Sequence, residues 1–105
     1  MAIPLMTRLL LVSRRIVPLD ALEDYGSRWA RVVAAVSAAG GRAWVFRGVR
    51  HQDHFLEFIE WRTDHSVDPG ALPDRESVAA ARAELDGRFG PASDDEWEEA
   101  LLEHV

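Results

Sequence analysis

A chain of 105 residues with 48% hydrophobic and 29% charged residues is an ordinary globular composition, long enough for one domain that buries roughly 60 to 70% of its unfolded surface. It contains no Cys, Lys or Asn, and all twelve of its basic residues are Arg. Disulfides, thiolate metal sites, Cys nucleophiles, Schiff-base lysines and Asn ligands or oxyanion donors are thereby excluded. The net charge of -6 is unevenly placed. Residues 1–63 hold nine Arg against six acids, a net of +3, while residues 64–105 hold three Arg against twelve acids, a net of -9. An acidic half and a first half without a basic stripe do not suit a phosphate backbone, so no nucleic-acid partner is expected. No apolar run approaches the roughly 18 residues of a membrane span, and Met1–Met6 is too short for a signal h-region. A cytoplasmic protein with no membrane contact is the expectation.

The first periodic segment is a strand near 8–17, RLLLVSRRIV. Leu10, Val12 and Ile16 fall on one side and Leu9, Leu11 and Val17 on the other, the pattern of a central strand covered on both faces. Pro18 ends it. A helix is predicted near 20–39, with Asp20 as N-cap and Glu23 completing a capping box. Its apolar stripe is Leu22, Tyr25, Trp29, Val32, Val33 and Val36. Gly40-Gly41 supplies the stop.

Two aromatic and β-branched runs follow, near 42–49 and 54–62, and read as a hairpin. An odd-length connection would place Arg47 opposite Glu57, and the pairing of opposite charges favours that register. The Pro, Gly and Asp residues of 64–73 make a loop. A second helix is predicted near 74–89, capped by Asp74, with Val78, Ala81, Leu85 and Phe89 on its buried side. Gly90-Pro91 breaks it. A last acidic helix is predicted near 94–104 from the capping-box pair Ser93 and Glu96 and the stripe Trp97, Ala100 and Leu101.

Strand, helix, strand, strand, helix is a ferredoxin-like βαββα sandwich, an α+β fold with an antiparallel sheet, here carrying an extra C-terminal helix. Its hairpin points Trp44 and Phe46 to one face and Val45 to the other, while Phe55, Ile59 and Trp61 oppose Leu56 and Phe58. Helices cover only one face, and a large bare apolar face is rare on a soluble monomer. A homodimer closed through the other sheet face is therefore expected.

The stretch Gly41-Arg42-Ala43-Trp44-Val45-Phe46-Arg47-Gly48, a polar turn, and Phe55-Leu56-Glu57-Phe58-Ile59-Glu60-Trp61 resembles the middle of the dimeric α/β-barrel proteins, the group containing antibiotic-biosynthesis-type monooxygenases. The resemblance implies a dimeric α/β barrel and a ligand site for a small aromatic or polyketide-like molecule, with oxidation independent of a protein-bound cofactor. The chain departs from the family in three ways. It reads as ending in a helix where the family has a fourth strand. It has no His between Arg75 and Phe89, and it lacks the Asn that the haem-degrading branch uses.

Arg14, Arg15, Arg47, Glu57 and Glu60 are charges set within strands among apolar neighbours. They can line an interior cavity, with Arg orienting an anionic or carbonyl-bearing ligand, or they can be cross-strand ion pairs that fix register. Trp44 and Trp61, with Tyr25 and Trp29, can stack on a flat ligand or fill the core. Arg14, Arg47, Glu57, Trp44 and Trp61 are the ligand-site candidates. His51, Asp53 and His54 are the clustered metal-type ligands, and the His pair could hold a zinc ion only with a third and fourth ligand from elsewhere, for instance His65. His104 near the C-terminus complements a helix dipole. The expectation is no metal and no cofactor. Two functions stay open: a small dimeric barrel that binds or oxidises an aromatic molecule, and a non-catalytic dimeric module that uses the acidic last helix as its contact surface.

Overall fold

A computed structural model describes residues 7–63, 75–100 and 102. The predicted loop 64–73, the Asp74 cap, His65 and His104 lie outside these residues. The chain runs β1 (Thr7–Ile16), a 3-10 turn (Leu19–Ala21), α1 (Leu22–Ala38), β2 (Arg42–Arg47), β3 (His54–Thr63), α2 (Arg75–Phe89) and β4 (Ser93–Glu98). One sheet in the order β2-β3-β1-β4 holds all four strands, with every neighbouring pair antiparallel. This is the ferredoxin-like α+β arrangement, with α1 and α2 on one face.

The helix-facing side of the sheet carries the core. Leu9 and Leu11 of β1 and Ile59 and Trp61 of β3 pack with Tyr25, Trp29, Val32 and Val36 of α1 and with Val78 and Leu85 of α2. The apolar stripes predicted for both helices are the ones buried. The capping box at Asp20 is not made. The chain enters α1 through a 3-10 turn in which the Ala21 amide donates to the Pro18 carbonyl at 2.9 Å, and neither helix start has a side-chain cap. Asp20, Glu23 and Asp24 instead lie in the first turns, where negative charge complements the exposed amides.

Gly40 closes α1 at φ 87°. Its amide donates to Ser37 and that of Gly41 to Val36, the paired bonds of a Schellman stop. Gly41 is required for a second reason. A Cβ there would lie 2.7 Å from the Glu60 carbonyl oxygen and 2.9 Å from Val36 Cγ1, so only glycine lets β2 start this close to β3 and α1.

Residues 93–98 form a strand, which corrects the predicted terminal helix. Trp97 lies opposite Leu10 and Asp94 opposite Ser13. The reason is tertiary. β1 is central only if both of its edges are paired, and an unpaired inner edge leaves amides and carbonyls unsatisfied. β4 fills that edge, and side chains lock it: Ser13 donates to Asp94 at 2.6 Å, Arg82 donates to both Asp94 carboxylate oxygens, and Arg8 pairs with Glu99. Local capping energy of about 1 kcal/mol is outweighed by a full ladder with a neighbouring strand.

The hairpin register also differs. The loop 49–53 is of odd length, closed by Gly48 donating to the His54 carbonyl at 2.8 Å. Arg47 nevertheless faces Phe55, and Glu57 faces Val45. The two charges share a sheet face without forming a pair. On the face away from the helices lie Leu10, Val12, Trp44, Leu56 and Phe58, half-buried, with Ile16, Phe46 and Trp97 each close to 60% exposed. Trp44 stacks on Phe58, ring centroids 5.3 Å apart and planes 7° apart, and Phe46 meets Phe58 edge-on. No helix among the described residues is long and apolar enough to cross a membrane.

Candidate functional site

Alternation along β1 puts Arg15 on the same face as Leu9, Leu11 and Ser13, and alternation along β3 puts Glu57 with Ile59 and Trp61. Both charges therefore point under the helices. Arg15 Nε donates to Glu57 Oε2 at 2.9 Å, Nη2 donates to Asp86 Oδ1 at 3.0 Å, and Nη1 donates to the Gly90 carbonyl at 2.6 Å. Tyr25 of α1 donates its hydroxyl to the same Glu57 Oε2 at 2.6 Å. One guanidinium thus ties β1 to β3, to α2 and to the turn after it, and one phenol adds α1.

Burial alone would lower the Arg15 guanidinium, but the hydrogen bonds and charges of Glu57 and Asp86 outweigh it and hold its pKa above the ordinary value. Burial also pushes the Tyr25 phenol well up, and the hydrogen bond to Glu57 and that carboxylate's charge push it further. Arg15 offsets a part. The cluster is closed: an ion pair with both side chains nearly inaccessible and its lone pairs taken up, which is the condition under which a buried pair is tolerated.

The five candidate ligand residues do not converge on one point. Arg14 and Arg47 line the same cleft, of about 490 Å³, where the end of β1 meets the hairpin; Phe46, Phe55, Leu56 and His54 also line it. Arg47 is held by its Nε donating to the Gln52 carbonyl at 2.7 Å, and its guanidinium lies 5.8 Å from the Phe55 ring centroid. Glu57 sits in the closed cluster beneath the helices. Trp44 lies toward the other end of the open face, lining a cleft of about 310 Å³ with Leu10, Glu60 and Trp97. Trp61 borders a third cleft, of about 370 Å³, with Gly41 and Arg42, and its buried Nε1 has no hydrogen-bond partner among the described residues.

His51 and His54 approach to 5.1 Å between ring centroids. Among the described residues no three His, Cys, Asp or Glu side chains converge as a metal site. Asp86 and the Gly90 carbonyl were not foreseen from the sequence. Strand parity was the available signal for Arg15 with Glu57, since each alternates in phase with core residues, whereas Asp86 lies on a helix whose facing toward β1 depends on packing.

No protein-family model matches this chain, and no curated protein matches it. Solved structures do resemble it. A candidate antibiotic biosynthesis monooxygenase from Bordetella bronchiseptica superposes with a TM-score of 0.68 at 15% identity, over 90% of this chain and 99% of that one. The Mycobacterium tuberculosis protein Rv0793 gives 0.57 at 14% identity, over 90% and 95%. A variant of SnoaB, a cofactor-independent oxygenase from Streptomyces nogalater, gives 0.53 at 19% identity, over 90% and 93%. Nearly the whole of each of these chains is spanned. At such identities the likeness is one of backbone, and β4 supplies the strand that the sequence resemblance lacked. The chain therefore has the ferredoxin-like fold of antibiotic-biosynthesis-monooxygenase-like proteins.

Proposed function

We propose that this chain is a cytoplasmic homodimer that binds a small aromatic or polyketide-like molecule and oxidises it without a protein-bound cofactor. The observation that carries the reading is the cleft holding Arg14 and Arg47. Its volume of about 490 Å³ falls in the range of roughly 300 to 1,000 Å³ common for small-molecule sites. Apolar walls from Ile16, Phe46 and Leu56 would hold a flat ring, while the Arg14 guanidinium offers directional N–H donors to a ligand oxygen. The likeness to a cofactor-independent oxygenase supports the oxidative part of the reading.

The second copy follows from the open sheet face. Ile16, Phe46 and Trp97 project there unburied beside half-buried Leu10, Val12, Trp44, Leu56 and Phe58. A two-fold contact covers the same patch on both copies and would roof the cleft, excluding water from a bound ligand. The competing idea of a non-catalytic module docking through an acidic last helix has lost that helix, because residues 93–98 are β4.

Light scattering at micromolar concentration should give twice the 11.8 kDa chain mass, and a monomer there would remove the dimer. For the ligand, native mass spectrometry of protein purified without added small molecules, followed by dioxygen-uptake assays on polycyclic phenols, tests the rest. Absence of both binding and uptake over such a panel would overturn the enzymatic reading.

A further inference from the structure

We propose that the cleft at the hairpin end of the sheet selects an anionic aromatic ligand, an aryl carboxylate or a phenolate, and that Arg14 is the group that binds the anion. The inference rests on the cleft being the ligand site and adds the sign of the ligand's charge.

In a chain with eighteen acids and twelve Arg, the titratable residues that border this cleft are Arg14, Arg15, Arg47 and His54, with no carboxylate among them. Arg15 is neutralised from behind by Glu57 and Asp86. Arg14 is different. It is exposed and makes no ion pair or hydrogen bond with any described residue. In register it stands between Leu56 of β3 and Ser93 of β4, on the face that also presents Phe46 and Ile16. The next acid along β4 on that face is Asp95, opposite Val12, and no ion pair joins it to Arg14. Asp94, its neighbour, points to the other face and is taken by Ser13 and Arg82. Arg47 borders the cleft but belongs to the sheet side of Val45, Phe55 and Glu57, with its Nε on the Gln52 carbonyl and its guanidinium over the Phe55 ring, so the anion is left to Arg14.

A guanidinium with unspent donors beside an apolar floor of Ile16, Phe46 and Leu56 is a geometry that binds a planar acid. Apolar walls lower the local dielectric and strengthen the attraction. A planar fork matches a carboxylate by two parallel N–H bonds. A neutral aromatic would fill the same space but leave the Arg14 charge unanswered, so the site distinguishes the two by charge and not by shape.

The test is isothermal calorimetry with 2-naphthoate and its neutral isostere 2-naphthamide on the full chain, with Arg14→Gln and Arg14→Lys as variants. The wild type should bind the naphthoate about tenfold or more tighter than the amide, as one charge-assisted contact implies. Arg14→Gln should remove most of that preference while leaving amide binding within about twofold, and Arg14→Lys should keep part of it. Because Arg14 has no partner to lose, both variants should retain the wild-type unfolding midpoint. Equal binding of acid and amide by the wild type, or a preference that survives Arg14→Gln, overturns the assignment while leaving the cleft as a ligand site. Failure of both probes to bind overturns the cleft reading and this assignment with it.

Discussion

Tyr25 is the one tyrosine of a chain without Lys or Cys, so it is the only side chain whose ordinary pKa lies between about pH 8 and 12. In the fold its hydroxyl is buried and donates at 2.6 Å to Glu57. Ionising it would place a phenolate against a carboxylate in a site closed to water. Its folded pKa is accordingly raised above the ordinary 10.0, by burial first and by Glu57 second. For a group raised in this way, the stabilisation is fully present below pH 10 and is lost as the pH climbs, because the unfolded chain releases a proton that the folded chain keeps. The loss approaches one proton, or about 1.4 kcal/mol of unfolding free energy per pH unit between roughly pH 10.5 and 12. Urea unfolding followed by tryptophan fluorescence should show that slope in the wild type. Tyr25→Phe should start about 1.5 to 3 kcal/mol lower, having lost a bond to a charged acceptor, and should show almost no slope. Tyrosinate absorbance at 295 nm should appear only with unfolding. A tyrosinate signal with a midpoint near 10 in protein that keeps its folded circular dichroism would refute the reasoning.

The buried ion pair and the β2 start give two more tests. Glu57→Gln leaves Arg15 with only the half-exposed Asp86 and should cost about 3 to 5 kcal/mol; Arg47→Met should cost under about 1 kcal/mol, and the pair of changes should add, because no bond joins the two residues. Coupling above about 0.5 kcal/mol in that double-mutant cycle would contradict the observed register. Gly41→Ala should destabilise by about 1 to 3 kcal/mol, since its Cβ meets backbone at 2.7 Å, whereas Gly26→Ala, in open space on α1, should gain about 0.5 to 1 kcal/mol. Equal effects from these two substitutions, read as chemical denaturation midpoints, would contradict the packing at Gly41.

The sequence announced those elements whose own residues decide their form. β1 alternates, α1 carries a stripe at helical spacing, and Gly40 and Gly90 mark stops, so the βαββα order and the core of Leu9, Leu11, Tyr25, Trp29 and Val36 were readable. β4 was not. Ser93 to Glu98 has no β-branched residue, and every one of its side chains is exposed, so neither propensity nor amphipathicity identifies it; its conformation is imposed by the free edge of β1, whose paired residues, from Arg14 opposite Ser93 to Leu9 opposite Glu98, lie at the far end of the chain. The site divides the same way. Glu57 and Arg15 were visible as charges within strands, but their partners Asp86 and Tyr25 come from two helices whose mutual placement follows from packing, and this left Arg47 as the more obvious and mistaken partner for Glu57. Arg14 and Arg47 border one cleft because the sheet order brings β1 and β2 to either side of β3, which no local pattern in either strand encodes.

The acidic β4 strand also has a bearing on how copies of this chain can meet. β4 lies at one border of the sheet, and among the described residues no strand pairs with its outer edge. Asp94, Asp95, Glu96 and Glu98 lie along it, all exposed. Two such borders laid side by side would crowd four carboxylates of one copy against four of the other, and like charges on facing strands repel. Pairing of two β4 borders is thereby discouraged by composition, in a fold that leaves its aromatic surface available. The charge on this border leaves the aromatic face as the surface open to the second copy proposed above.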